Sequence, residues 1–220
     1  MTKEITHRAQ MSKYILIFCI STLLHFQLKG SHIIGGDVFF DCITVDTVTQ
    51  QVSLNVEFQL FRDARPNPDP NAARSFDDNA FFGVYRRTPA GWVFVTQAGP
   101  LDIILEEPVP INDLDCLIAP PSLSMLRGVY RFDLTLDMID EDYMIAYQRC
   151  CRGVAITNLV NASQEGSVFA IEITPEGLAA CTRGVKYSQF PPSVLCLGFP
   201  FRYDHSVDTE PGDSVAYRIC

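Results

Sequence analysis

Apolar and polar residues alternate without a break from Val52 to Leu60. Val52, Leu54, Val56, Phe58 and Leu60 fall on one side, and Ser53, Asn55, Glu57 and Gln59 on the other. A period of two is that of a strand buried on one face, so the stretch predicts a half-buried β-strand. The same period returns from Tyr130 to Asp137, where Tyr130, Phe132, Leu134 and Leu136 are expected inward and Arg131, Asp133, Thr135 and Asp137 outward. Phe81 to Arg87 and Trp92 to Gln97 flank Thr88-Pro-Ala-Gly91. The proline there presets one dihedral and the glycine admits a positive φ, so a hairpin is expected. Val38 to Ile43, Tyr143 to Cys151 and Val168 to Ile173 bring the series to about seven short strands separated by turn signals, the pattern of an antiparallel sandwich.

Two stretches break the alternation and are read as surface loops: Arg65 to Ala72, with three prolines, and Pro108 to Pro121, with four. The single good helix start is Thr174-Pro-Glu, with Thr174 as N-cap, proline at the first helical position, Gly184 as a stop and a length of two turns at most. Beyond it the pattern resets at Phe190-Pro-Pro-Ser-Val-Leu-Cys-Leu-Gly198, which reads as a linker and the first strand of another module. The expected fold is therefore all-β. An Ig-like antiparallel β-sandwich spans residues 31–176, and a linker with the opening strands of a second, truncated β-sandwich module spans 177–220. The alternative is that those last strands add an edge to the first sandwich.

The N-terminus changes the picture of where such a domain works. Lys13 precedes an apolar run to Phe26, followed by Gln27 and the small Gly30, which predicts a secretory signal over residues 1–30 cleaved before Ser31. Met11 is an alternative start. The run is short for a membrane span, so no membrane insertion is expected after cleavage, and the mature chain is placed outside the cell or on its surface. Seven cysteines remain there: Cys42, Cys116, Cys150, Cys151, Cys181, Cys196 and Cys220. That density in an exported chain predicts disulfides, and sequence alone does not choose the pairing. Cys150 and Cys151 are adjacent on an expected strand and point to opposite faces, so different partners are expected for them. Cys220, the last residue, and the short stretch after Cys181 together predict a chain that has been cut.

Charge and histidine supply exclude several functions. The chain holds 17 Lys and Arg against 26 Asp and Glu, for a net charge of −9. Four of the basic residues and one of the acidic ones lie in the first thirty, leaving residues 31–220 at −12. Such a chain repels phosphate backbones and anionic headgroups, so nucleic acid is not an expected partner. Of four histidines only His32 and His205 lie beyond residue 30, too few for a multi-histidine metal site or for ordinary histidine base catalysis.

The remaining candidate chemistry is sparse. Asp204, Asp208, Glu210 and Asp213 lie within ten residues around Pro211-Gly212 and offer oxygen ligands for Ca²⁺, the one cofactor considered; the competing reading is a solvated acidic turn. Gly212-Asp-Ser-Val215 resembles a hydrolase nucleophile block, but the five residues after it include no histidine base. Asp140-Glu-Asp142 reads as a charged turn, and Asn161-Ala-Ser163 fits a glycosylation acceptor. Tyr85 and Trp92, with Phe94 in the same hairpin, form a candidate aromatic platform for a sugar, against the alternative that all three pack in the core.

Several segments, taken in order, resemble the N-terminal region of large gliding-motility-associated surface proteins exported by the type IX secretion system. They are Ser31-His-Ile-Ile-Gly-Gly-Asp37, Phe61-Arg-Asp63, Tyr147-Gln-Arg-Cys-Cys-Arg152, Pro191-Pro-Ser-Val-Leu-Cys196, and Tyr203-Asp-His-Ser206 leading to Gly212-Asp-Ser214. The resemblance implies a multi-module protein of Ig-like and related β-domains engaged in adhesion and surface motility rather than catalysis. Such members carry cysteine where Ala64 stands and another near Met125, and an acidic run that here is shifted by one place at Asp208 to Asp213. The expected function is thus a non-catalytic structural or adhesive segment of a secreted cell-surface protein, with an extracellular protein or polysaccharide as partner. The alternative is a carbohydrate-binding module of a secreted hydrolase.

Overall fold

The computed structural model describes residues 33–64, 75–110, 124–150, 152–153, 156–190, 192–209 and 214–217. The chain is an all-β antiparallel sandwich, as expected. One sheet holds β1 (Ile33–Asp46), β2 (Gln51–Asp63), β6 (Met125–Asp137) and β5 (Leu105–Pro108) in the order β1-β2-β6-β5. The other holds β3 (Ala80–Thr88), β4 (Gly91–Leu101), β7 (Tyr143–Arg149) and β8 (Ser167–Ile173) in the order β4-β3-β7-β8. A short helix α1 (Pro175–Ala179) follows, and β9 (Lys186–Tyr187) pairs with β10 (Val207–Asp208).

The alternation in β2 and β6 sets the layer between the sheets. Val52, Leu54, Val56, Phe58 and Leu60 are all buried inward, and in register they face Leu136, Leu134, Phe132, Tyr130 and Gly128 of β6. Their polar alternates take the outer face and pair across strands: Asn55 Nδ2 donates to Asp133 at 2.7 Å and Gln51 Nε2 to Asp137 at 3.0 Å, whereas Glu57 and Gln59 are buried on that face. Phe82 of β3 closes the core from the opposite sheet. Its ring centroid lies 4.5 Å from Phe58, 5.3 Å from Phe132, 5.5 Å from Tyr130 and 5.2 Å from Tyr147. Tyr130 donates from its hydroxyl to the Asp77 carbonyl at 2.7 Å, and the Asp77 carboxylate takes Tyr147 and Arg149, which pins the chain just before β3.

Several boundaries differ from the pattern-based reading, each for a physical reason. The first strand begins at Ile33 rather than Val38. Gly35-Gly36 reads as a break, yet at Gly36 a side chain would lie 2.8 Å from Leu60 and 2.9 Å from Phe169, so glycine allows the close approach of the two sheets there. β7 ends at Arg149, and β5 is a four-residue strand in what looks like loop sequence. The helix forms on its predicted cap, with Thr174 Oγ1 accepting from the Gly177 N–H at 3.1 Å. At five residues it stays within the expected two turns, and it stops at Ala179, short of Gly184, because Cys181 turns the chain with φ 53° and the Thr182 N–H returns to the Gly177 carbonyl at 3.1 Å.

Residues after α1 stay on this sandwich as far as Phe190. Leu178 is buried in the core, Cys181 is bonded to Cys42 of β1, and the Gly184 N–H donates to the Phe40 carbonyl at 2.7 Å. The segment then crosses the outer face of the first sheet. Lys186 Nζ sits 4.3 Å from the Phe39 ring centroid, and Phe190 meets Phe61 edge-on at 6.2 Å. Further along, Leu197, Phe199 and Phe201 are exposed.

Candidate functional site

The hairpin β3–β4 builds the most distinctive surface. Its turn is closed by Thr88 Oγ1 donating to the Gly91 carbonyl at 2.8 Å, with Gly91 at φ 115°, a conformation its missing side chain permits. In register Tyr85 faces Phe94 and Arg87 faces Trp92. These residues point away from the core on the outer face of the second sheet, where Phe81, on the same face of β3, joins them. Phe94 is 54% exposed and Phe81 47%. Tyr85 and Phe94 meet edge-on at 5.8 Å, and the Arg87 guanidinium lies 5.4 Å over the Trp92 ring. A side chain at Gly83 would come within 2.7 Å of the Tyr85 ring, so the ring lies down across the sheet rather than standing off it.

Electrostatics steady this platform without charging it. Arg87 is held by Asp142 at 3.3 Å and Glu172 at 3.9 Å, and Arg86 by Glu141 at 3.3 Å. The acidic turn Asp140-Glu-Asp142 is thus the counter-charge of the hairpin arginines. An outward row of aromatic rings, two of them meeting edge-on and one carrying an arginine over its face, offers apolar contact to a sugar ring or an extended chain.

A second feature is the cleft of about 440 Å³ between the outer face of the first sheet and the segment Lys186–Phe190, lined by Gln59, Phe61, Arg127, Lys186, Tyr187 and Phe190. Its cations are answered locally: Arg127 bonds Glu107 at 2.5 Å and Gln59 at 3.3 Å, and Lys186 faces Asp37. Beside it Glu57 takes Arg131 through Nε at 3.1 Å and Nη2 at 2.5 Å. Burial pushes the Asp37 carboxyl up to about 6, partly offset by the Val38 N–H and by Lys186. In the core behind this face, burial also raises the phenols of Tyr130 and Tyr147.

The expected calcium cluster is only partly in view. Asp204 and Asp208 are exposed; Asp204 Oδ1 accepts from the Ser206 N–H at 2.9 Å, and Asp208 pairs with Arg183 at 3.5 Å. Glu210 and Asp213 lie outside the described residues, as does most of the Gly212-Asp-Ser segment. Among the described residues no group of three or more His, Cys, Asp or Glu is placed to hold a metal. Cys42 and Cys181 form a disulfide that links β1 to the residue after α1. Cys150 and Cys196 are each disulfide-bonded, and Cys116, Cys151 and Cys220 fall outside the described residues. His205 packs edge-on against Tyr203 at 4.4 Å.

Compared with family models, curated proteins and solved structures, the chain matches none. Of the candidates read from sequence, Tyr85 and Trp92 come together on one face with Phe94. Phe81 was the residue that reasoning missed. Its signal lay in the β3 alternation, which puts Phe81, Gly83, Tyr85 and Arg87 on the side opposite Phe82 and Val84.

Proposed function

We propose that this chain is a non-catalytic adhesive module of a secreted cell-surface protein, and that it binds through the outer face of the second sheet. The observation that carries the reading is the outward-facing aromatic row on a sheet whose other face is the core, with Phe81 and Phe94 exposed and Tyr85 and Trp92 half-buried beside them. The Cys42–Cys181 bridge fits an oxidising, extracellular setting. The resemblance to gliding-motility surface proteins gains support from one detail. Ala64, where those proteins carry cysteine, donates its N–H to Ser124 at 2.7 Å, and Asp63 pairs with Met125, so the two expected cysteine positions are neighbours in space.

A second reading, a carbohydrate-binding module of a secreted hydrolase, is favoured by the partial exposure of Tyr85 and Trp92. One experiment addresses both. The purified protein is tested for binding to immobilised cell-surface extract and to a panel of neutral polysaccharides, alongside Trp92→Ala and Tyr85→Ala. Adhesive function predicts binding that each variant weakens roughly tenfold, the loss of one stacked ring. Binding restricted to a single plant or algal glucan would favour the hydrolase module. Binding unchanged in both variants would remove the aromatic face from the function.

A further inference from the structure

Arg87 joins the aromatic row to the charges beside it. Its guanidinium lies 5.4 Å from the Trp92 ring centroid and reaches Asp142 at 3.3 Å and Glu172 at 3.9 Å. Both carboxylates are met by the same nitrogen, Nη1. Nε and Nη2 form no hydrogen bond among the described residues, and the side chain is 58% exposed. The planar fork of this arginine is thus anchored at one corner, with two parallel donors unused. Glu172 shares the face, since in register Tyr85 neighbours Met144 and Met144 neighbours Glu172. The Tyr85–Phe94 pair stands two residues along from Arg87 and Trp92, about 7 Å at the rise of a strand. Beyond it the exposed Gln97 faces Gly83. One surface therefore holds aromatic rings, a donor fork with a carboxylate acceptor at one end, and an amide at the other.

We infer that this face takes a neutral, 1,4-linked polysaccharide, and that Arg87 selects it by donating from Nε and Nη2 to two adjacent hydroxyls of one sugar ring. Charge narrows the class first. Arg87 is outnumbered by Asp142 and Glu172, and residues 31–220 carry −12, so an acidic polysaccharide is repelled. A peptide would need backbone groups to pair with, yet those of β3 are spent in its ladders with β4 and β7. A neutral sugar finds what is present: rings for its apolar face, and donors and an acceptor for its hydroxyls. Two parallel N–H groups match two oxygens held side by side. A 1,4-linked hexopyranose keeps its 2- and 3-hydroxyls adjacent and free, whereas a 1,3-linkage consumes one of them. Asp142 and Glu172 act through Arg87, as positioning residues that fix its fork beside the rings.

Sugar selection by Arg87 rests on the outer face being the binding surface, and one set of titrations keeps the two apart. Trp92 is the sole tryptophan and touches Arg87, so its emission reports a ligand on the fork. The purified full chain is titrated with a soluble 1,4-linked glucomannan, a soluble 1,3-linked glucan and the acidic polymer alginate, and tested in parallel against immobilised cell-surface extract. Saturable binding to glucomannan is expected, about tenfold tighter than to either of the others. Arg87→Lys keeps the charge but loses the fork, and should weaken glucomannan binding roughly tenfold with an unchanged circular dichroism spectrum. Glu172→Gln loosens one side of the arginine and should cost about threefold. Periodate treatment of the glucomannan, which cleaves vicinal diols, should abolish binding. No binding to glucomannan, tighter binding to alginate or to the 1,3-linked glucan, or an unchanged affinity in Arg87→Lys would overturn the inference. If the extract is then still bound in a Trp92-dependent way, the adhesive reading stands with a protein as its partner. If Trp92→Ala and Tyr85→Ala bind the extract and every polymer as the parent chain does, the reading itself falls.

Discussion

Phe82→Ala tests the sandwich at its centre. Phe82 is 0% exposed and its ring is ringed by Phe58, Phe132, Tyr130 and Tyr147, all with centroids between 4.5 and 5.5 Å. Truncating a buried phenylalanine costs about 3–5 kcal/mol, from lost transfer energy and from the cavity left behind. Four aromatic neighbours place this site in the upper part of that range, since each pair adds about 0.5–1.5 kcal/mol beyond area burial. Those neighbours come from both sheets, so collapse into the cavity would require the layers to shift together. We expect a loss of about 4 kcal/mol. Phe81, its neighbour in sequence, is 47% exposed on the opposite face. Phe81→Ala removes only half a buried side chain and should cost about 1 kcal/mol or less. Urea unfolding under non-reducing conditions, followed by far-UV circular dichroism, measures both. With an m-value of about 2 kcal/mol per molar urea, the midpoint should fall by about 2 M for Phe82→Ala and by less than about 0.5 M for Phe81→Ala. Fluorescence is the wrong probe, because the sole tryptophan, Trp92, sits on the outer face. Equal shifts for the two variants, or a loss below about 1 kcal/mol at Phe82, would refute the placement of the core.

Leu134→Asp puts a carboxylate opposite Leu54 in the same core and should unfold the domain, whereas Thr135→Asp on the exposed side should change the midpoint little; equal damage would reverse the assigned faces of β6. Asp37 has a carboxyl raised to about 6 from an ordinary 3.8, so the folded state takes up its proton first. The cost of holding it ionised is full above about pH 6 and gone below about pH 4. Asp37→Asn should therefore stabilise the protein at neutral pH by at most about 2 kcal/mol after solvent screening, with the gain vanishing near pH 4; a gain independent of pH would show that the carboxyl is not desolvated. Cys181→Ser opens a bridge between residues 139 apart and should cost about 2–5 kcal/mol in the non-reduced protein, read from the same urea curve. Limited chymotrypsin digestion, analysed on reducing gels, should cut first between Leu197 and Tyr203, where Leu197 is fully exposed; first cuts within Leu178–Tyr187 would show that this segment is not held on the sandwich.

The strands legible in the sequence were those with an unbroken apolar–polar alternation, even where, as at Glu57 and Gln59, the polar face is covered as well. β2 and β6 announce themselves because every second residue is buried on the same side, a period that sets the inward face of each strand and leaves their pairing register to the fold. β1 was half legible: Gly35 and Gly36 look like a break, and only the neighbouring Leu60 and Phe169 side chains reveal why no larger residue fits at Gly36. β5 was illegible, since Leu-Glu-Glu-Pro has no alternation and gains its strand form from pairing with Arg127 and Val129 of β6. The attachment of residues 178–190 was hidden for a related reason. It depends on contacts made across more than a hundred residues, Cys181 to Cys42 and Gly184 to Phe40, which no local pattern encodes. In the candidate site, Tyr85 and Trp92 were visible as a pair, but whether they faced core or solvent turned on a one-residue parity in β3 that Phe82 decides.

The Cys42–Cys181 bridge acquires a further meaning once the ends of the chain are pulled apart. Tension entering through the first part of β1 would pass across the sulfur atoms at Cys42 and leave at Cys181, 139 positions further along, bypassing the stretch between them. Both sheets, apart from the strand that carries the load in, would remain slack while the rest of the chain is taut. The oxidised domain could then lengthen by peeling Ile33–Asp41 from β2 and by straightening the segment after Cys181 as far as the further disulfide at Cys196 allows. Reduction would release a hidden reserve of about 480 Å, at roughly 3.5 Å per extended residue. The covalent cross-link thus acts as a load limiter, holding the aromatic face folded under a force that would otherwise unravel it.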